Sequence, residues 1–254
     1  MIRVLGAALA AALIVAPADA AEDALALYKA GKYEQAIAAA SRENSAAGYA
    51  LAARAALADA ALRSPCLECL ERAATLAHKS IAADPELPDG HIYLAASLGY
   101  QARIIGMIRA RLGAYPEEAK RNLDKALASD PKNAWALAAL GSWNIEIVRG
   151  GGAYLASWLY GATLAEGFKD YDAAFKAAPG NLVLRYQYAL SLGGLDLDAY
   201  HDKITDALTR AVKAEPQTAY EKFAQGRARE LQTALKNGDR ATFDWLVRRD
   251  QGYP

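Results

Sequence analysis

Side chains that perform chemistry are scarce in this sequence. It contains two cysteines and three histidines, and His78, His91 and His201 have no nucleophile or metal-ligand partner at a useful spacing. No zinc-protease motif, serine-hydrolase motif or phosphate-binding loop occurs. These absences argue against the common enzyme classes, and we expect no catalytic residue, no metal site and no cofactor.

Excess charge of one sign is also missing. Lysine plus arginine equals aspartate plus glutamate at 29 each, so the chain lacks the basic surface typical of nucleic-acid-binding proteins. Runs of β-branched residues are few, whereas alanine and leucine dominate, and this composition favours helices over strands. We therefore expect an all-α protein that does not bind nucleic acid.

Only one long apolar run exists, from Val4 to Val15, and it is too short to span a bilayer comfortably. Arg3 precedes it and Ala18-Asp19-Ala20 follows it, which is the pattern of a secretory signal with a small-x-small cleavage site. We expect residues 1–20 to be a cleaved signal peptide and residues 21–254 to be one periplasmic domain. An N-terminal membrane anchor is the alternative; after cleavage we expect no stable membrane insertion.

Four prolines each end a helical pattern, because proline cannot continue a helix and disfavours the α conformation of the residue before it. They are Pro85, Pro131, Pro179 and Pro216. Ten residues after each proline stands a small residue: Ala95, Gly141, Ala189 and Gly226. Small residues at a fixed register indicate stacked helical hairpins whose helices approach closely.

This pattern resembles the tetratricopeptide (TPR) repeat, most clearly in "YKAGKYEQAIAAA" (28–40) and "DPKNAWALAALG" (130–141). The resemblance implies a right-handed TPR-like solenoid of about five helical hairpins. A looser similarity, in "GFKDYDAAFKAAPGN" (167–181) and "ARELQTAL" (228–235), links the chain to two groups of TPR proteins. These are the regulator-of-microtubule-dynamics type and the periplasmic subunits associated with TRAP transporters.

The proline spacings exceed the standard repeat of about 34 residues. The surplus falls within two hairpins, in residues 99–118 and 145–167, and predicts two extended hairpins with tips on the same side of the solenoid. The first insertion is predicted to be a helical extension with Ile104, Ile108 and Leu112 on one stripe. Gly150, Gly151 and Gly152 are predicted to break or bend the second.

Two interpretations of the tips are open. The tips pack on each other and bury their apolar surface, or they cover an apolar cavity beside the groove, which would favour a small ligand. Tyr154 and Trp158, one helical turn apart in the second insertion, are the predicted contacts under the tips.

The first helix of each hairpin lines the concave face in the TPR fold, and the register assigns residues to that face. The candidate binding residues are Ile92, Trp135, Ser142, Tyr186, Tyr220 and Arg227, with Trp135 and Tyr186 expected to be exposed. Because an aromatic residue at helical spacing often belongs to a core, structural packing is the alternative for each. The face is predicted to be apolar and aromatic, without the basic clamp that some TPR proteins use for a peptide carboxylate.

Cys66 and Cys69 form a Cys-x-x-Cys pair. In an oxidising compartment we expect a local structural disulfide, and the alternatives are two unpaired thiols, a redox dithiol or a metal site. A thioredoxin-like strand pattern does not precede the pair, and two further metal ligands are missing.

These observations predict an exported, non-catalytic binding or scaffold protein that recognises a protein or peptide segment in its concave groove. The alternative is a periplasmic carrier or transporter accessory that binds a small apolar ligand beneath the two extended hairpin tips.

Overall fold

The computed structural model describes residues 24–63 and 66–253. The predicted signal peptide, residues 1–20, lies outside the described residues. Among the helices that are described, none combines the length and the hydropathy needed to cross a bilayer.

Thirteen helices form in the described ranges, and consecutive helices pack in pairs. The first, α1, covers residues 24–29. It is followed by α2 (Tyr33–Arg42), α3 (Ala46–Leu62), α4 (Leu67–Ala83), α5 (Pro88–Ile105), α6 (Met107–Leu112), α7 (Tyr115–Ser129), α8 (Ala134–Tyr160), α9 (Leu164–Ala177), α10 (Leu182–Leu195), α11 (His201–Lys213), α12 (Ala219–Lys236) and α13 (Arg240–Asp250).

The described part of the chain therefore contains six hairpins, rather than about five. The pairs begin with α1, α3, α5, α8, α10 and α12, and the short helix α6 lies within the third pair. The proline register undercounts because it begins at Pro85, whereas the first hairpin ends at Asn44, which takes a positive φ of 50°. Asparagine tolerates this left-handed conformation, so the chain turns there without a proline.

Asparagine caps fix the helix starts after two of the prolines. The side-chain oxygen of Asn133 accepts hydrogen bonds from the backbone N–H groups of Trp135 and Ala136, and Asn181 does the same at the start of α10. Such caps satisfy N–H groups that have no partner inside the helix. The Asp-Pro stretch in residues 130–131 thus lies between two hairpins, as predicted.

Each insertion is interrupted by a glycine with positive φ. Gly106 (φ 84°) separates α5 from α6, so the first insertion is not the continuous helical extension that the sequence predicts. Gly152 (φ 75°) kinks α8, as the glycine run predicts. We call residues 104–115 the first tip and residues 150–161 the second tip. They adjoin at Gly150, where an added Cβ atom would lie 3.2 Å from Sδ of Met107.

The array closes on itself. The α1–α2 turn contacts the start of α12: a methyl group on Gly31 would lie 2.8 Å from the Cβ atom of Ala219. The side chain of Tyr220 packs against the core of the N-terminal hairpins. In an open solenoid each repeat contacts only its neighbours, so this contact between the first and last hairpins brings the two ends of the concave groove together.

Candidate functional site: a cavity enclosed by the first helices

A cavity of about 640 Å³ occupies the concave side of the array. Residues from α1, α3, α5, α8, α10 and α12, the first helices of all six hairpins, contribute to its wall. The two tips form another part of the wall through Met107, Ala110, Leu155 and Leu159. A volume of this size is typical of sites that bind a drug-sized molecule or a short stretch of peptide.

Most of the wall is apolar or aromatic. The apolar and aromatic members come from the first helices and the tips. They include Tyr28, Leu57, Ala58, Ile92, Tyr93, Ala96, Leu98, Tyr100, Tyr115, Trp135, Ala138, Ala139, Trp143, Ile147, Tyr160, Val183 and Tyr220. Alanine side chains keep the neighbouring first helices close, and the tyrosine and tryptophan rings project from them. The wall therefore favours an apolar occupant.

The wall also contains four arginines and one glutamate, so it carries net positive charge: Arg54, Arg103, Arg111, Arg149 and Glu146. Glu146 pairs with Arg103 at 3.3 Å and with Arg149 at 2.7 Å. The guanidinium carbon of Arg54 lies 4.5 Å from the ring centre of Tyr28.

Burial disfavours the charged form of two cavity tyrosines still further. It raises the pKa of Tyr28, an effect that the nearby Arg54 partly opposes. Burial likewise raises the pKa of Tyr220 well above its ordinary value. The hydroxyl groups therefore hold their protons at physiological pH, and each can donate a hydrogen bond.

The C-terminal segment closes one side of the cavity. Arg103 donates to the carbonyl oxygen of Gln251 at 3.1 Å, and Arg149 donates to the hydroxyl of Tyr253. The side-chain amide of Gln251, which is buried, donates to the carbonyl oxygen of Leu190 at 2.9 Å. These bonds connect α5, α8 and α10 through the chain after α13.

Four of the predicted binding residues line this cavity: Ile92, Trp135, Ser142 and Tyr220. Trp135 is 37% exposed, as expected of a contact residue. Ile92 is only 5% exposed and belongs mainly to the core. Ser142 is hydrogen-bonded to the hydroxyls of Tyr171 at 2.5 Å and Ser191 at 3.1 Å, so part of its role is to join α8 to its neighbours.

The prediction that Tyr186 is an exposed contact is wrong. Its side chain is 3% exposed, because α10 lies between two other hairpins and is covered on most of its circumference. Tyr186, Tyr220 and Arg227 border a smaller cavity of about 250 Å³. Arg227 is also tied to Asp250 by an ion pair of 3.7 Å.

The prediction that Tyr154 and Trp158 lie under the tips is also wrong. They are 79% and 74% exposed and do not belong to the cavity wall. The kink at Gly152 turns the following helical segment so that Leu155, Ala156 and Leu159 face the cavity instead. Sequence spacing located the correct turn of helix but not the side that faces inward.

Sequence reasoning missed the cationic residues of the wall. Arg54 had a visible signal, since it is one of two charged residues in the otherwise alanine-rich helix α3. The only arginine in this alanine-rich helix was therefore a visible candidate for the inner face. Arg103, Arg149 and Tyr253 had no comparable signal, because their positions depend on contacts between distant parts of the chain.

Cys66 and Cys69 form a disulfide at the start of α4, with their Cα atoms 5.3 Å apart. His91 is buried, and both its ring nitrogens are bonded within the core, to the side-chain oxygen of Asn122 and the carbonyl oxygen of Pro85. His78 and His201 are exposed. Within the described ranges, no group of three or more His, Cys, Asp or Glu side chains has the arrangement of a metal site.

Comparison with known proteins shows a family and a fold. A family model described as regulator of microtubule dynamics protein 1-3 matches residues 18–236. The crystal structure of a thermophilic TPR protein from Thermus thermophilus superposes with a TM-score of 0.58 at 17% sequence identity. That match covers 84% of this chain and 98% of the other, and it shows a TPR-like solenoid fold. A search of the curated proteins returned no match.

Proposed function

Because this chain belongs to the regulator of microtubule dynamics protein 1-3 family, we propose that it is an exported, non-catalytic binding scaffold that receives a short apolar segment of a partner protein in its inner cavity. Helical repeat folds of the TPR type suggest such a role in protein interaction. Export is inferred from the signal pattern in residues 1–20, and it would place the protein in the periplasm of a Gram-negative source.

The cavity on the concave side is the observation that carries the proposal. Its apolar and aromatic wall provides the buried contacts that dominate binding energies in interfaces. The volume of about 640 Å³ suits a few residues rather than a long peptide laid along an open groove. Net positive charge on the wall favours a segment that carries a carboxylate over one that carries an ammonium group.

A small apolar ligand is the second candidate, and one observation favours it. The two tips contribute Met107, Ala110, Leu155 and Leu159 to the wall, so an occupant would contact both tips as well as the first helices. A carrier or transporter accessory would have this arrangement.

One substitution tests the cavity for both candidates. Gly99 lies on α5, lines the cavity and has no atom within 4 Å of the position of an added Cβ. Gly99→Phe should place a ring in the cavity and displace the occupant. Gly226→Phe on α12 is the matched control, because it also has open space around the Cβ position but does not line the cavity.

The occupant is identified by native mass spectrometry of the mature protein isolated from its own source, together with crosslinking in intact cells. A crosslinked protein that is lost in Gly99→Phe and kept in Gly226→Phe supports the scaffold. A small-molecule mass with the same dependence supports the carrier. If Gly99→Phe folds and retains the same occupant as the wild type, the cavity is not the binding site.

A further inference from the structure

An exposed apolar surface on the outer side of the tips lies outside the cavity wall, apart from Met107, which borders both. It consists of Met107, Ile108 and Leu112 in the first tip and Tyr154 and Trp158 in the second, each at least 63% exposed. The Sδ atom of Met107 lies 3.2 Å from the position that a Cβ atom on Gly150 would take, so the two tips adjoin, and we call their exposed apolar side chains the tip surface. Several large apolar side chains exposed on adjoining segments indicate a site of interaction.

The charges of the tips all have one sign. Arg109 and Arg111 are exposed, with Arg111 also bordering the cavity, and neither tip contains an aspartate or a glutamate. The two arginines lie beside the exposed isoleucine, leucine and methionine on α6. The occupant of the tip surface should therefore be apolar and negatively charged.

We propose that the tip surface docks the protein on an anionic lipid bilayer, with α6 and the helical segment after Gly152 lying in the interface. Tryptophan and tyrosine favour the boundary between headgroups and acyl chains, while arginine binds anionic headgroups. Isoleucine, leucine and methionine enter the apolar layer. Helices of six residues and about eight residues are far too short to span a bilayer, so the attachment is peripheral.

The shape of the tips favours a bilayer over a protein partner. Nearly every side chain in residues 106–114 and 150–159 is exposed, with Ala110 and Ala156 as the exceptions. Tight protein interfaces centre on anchors that fill well-packed pockets, whereas these side chains project outward. A fluid bilayer accommodates projecting side chains without a matching shape.

The test is flotation of the purified mature protein with phosphatidylcholine vesicles, with and without phosphatidylglycerol. We expect binding to the vesicles that contain phosphatidylglycerol, weakened by salt. The double variant Ile108→Ser/Trp158→Ser should weaken binding about tenfold or more, since it removes two side chains from the apolar layer. Arg109→Gln and Arg111→Gln should each weaken it about fivefold.

Matched controls come from α13. Trp245 is 59% exposed and Arg248 is also exposed, but neither belongs to the tips. Trp245→Ser and Arg248→Gln should leave vesicle binding unchanged. Lipids with brominated acyl chains should quench the fluorescence of the wild type more than that of Trp158→Phe, which reports insertion of Trp158 directly.

Three results would overturn the proposal. The wild type does not float with either vesicle, or the tip variants float as well as the wild type. Alternatively, sedimentation shows a dimer that the double variant Ile108→Ser/Trp158→Ser dissociates, and then the tip surface is a contact between two copies. Circular dichroism of each variant verifies that the helices are intact.

Discussion

Asp170 shows how a single carboxyl group responds to its position in the array. It lies on α9, where the side-chain amide of Asn144 donates to it at 3.3 Å. Burial raises its pKa to about 6, and the negative charge of Glu166 adds to the effect, while Lys169 and the Asn144 hydrogen bond oppose it. The native protein therefore holds a proton that the unfolded chain releases near pH 4.

This difference predicts a pH-dependent stability. Between about pH 4 and pH 6 the native state binds more protons than the unfolded state, so the free energy of unfolding falls as the pH rises. Asp170→Asn keeps a hydrogen-bond acceptor but has no charge. We expect it to have a higher Tm than the wild type at pH 7 to 8, with the difference disappearing towards pH 4.

Thermal unfolding across that pH range checks the expectation. Asp172→Asn, at an exposed position on the same helix, is the control and should follow the wild type. A Tm of Asp170→Asn that is equal to or below that of the wild type at pH 8 would show that the charged form of Asp170 is not penalised.

Exposure of individual side chains was the least predictable property from the sequence. Trp135 and Tyr186 stand four and seven residues after a proline, positions that the register assigns to the same face of a first helix, yet one is 37% exposed and the other 3%. Register assigns a residue to a helix face, but the exposed fraction depends on which hairpins cover that face. That covering is a property of tertiary contacts, which repeat spacing does not contain.

At the scale of helices, the sequence predicts that small residues mark close helix crossings, but it does not predict which of these crossings are close. Gly141 and Gly226 stand at the same distance from a proline, and the register predicts close packing at both. An added Cβ at Gly141 would lie 2.7 Å from Cδ2 of Tyr171 and 2.9 Å from the carbonyl oxygen of Gly167, whereas Gly226 has open space. Only the crossing of α8 and α9 requires its glycine, because α12 lies at the end of the array, where fewer helices cover it.

These two glycines make a matched pair of substitutions. Gly141→Ala should lower the free energy of unfolding by about 1–3 kcal/mol, because α8 and α9 must separate to admit the methyl group. Gly226→Ala should be neutral or stabilise by up to about 1 kcal/mol through higher helix propensity. Urea denaturation measures both, and equal effects for the two variants would contradict the close approach at Gly141.

The sequence predicts one of the two helix interruptions in the tips more clearly than the other. Three consecutive glycines predicted the kink in α8, and the structure has it at Gly152. A single glycine at position 106 within an apolar helical pattern gave little indication of a break, since isolated glycines are tolerated in helices. The sequence therefore predicts one helical stripe through Ile104, Ile108 and Leu112, whereas the structure breaks the helix at Gly106, between the first two of these residues.

At the scale of the whole molecule, the sequence predicts a TPR-like array but not its closure. Repeats specify the contacts of each hairpin with its neighbours, and such contacts are what a fixed register encodes. Contacts between the first and last hairpins depend on the accumulated curvature of six pairs. Small changes at each step alter that sum, and the lengthened third and fourth hairpins make it harder to infer.

Closure predicts that the α1–α2 turn stabilises α12, although about 190 residues separate them. Gly31 (φ 77°) and Gly238 (φ 66°) both take the left-handed conformation, so an alanine at either position should cost about 1–2 kcal/mol. A Cβ atom added to Gly31 would also lie 2.8 Å from the methyl group of Ala219, whereas one added to Gly238 would have nothing within 4 Å. Gly31→Ala should therefore cost about 1–3 kcal/mol more than Gly238→Ala, through overpacking.

Hydrogen exchange distinguishes a loss of closure from a local effect in the turn. In Gly31→Ala the amides of Glu221 and Lys222, which bond to Thr218 at the start of α12, should exchange faster than in the wild type. In Gly238→Ala they should exchange at the wild-type rate, because that turn lies at the other end of α12. If Gly31→Ala changes exchange only within residues 24–42, the ends of the array unfold independently and closure adds no stability.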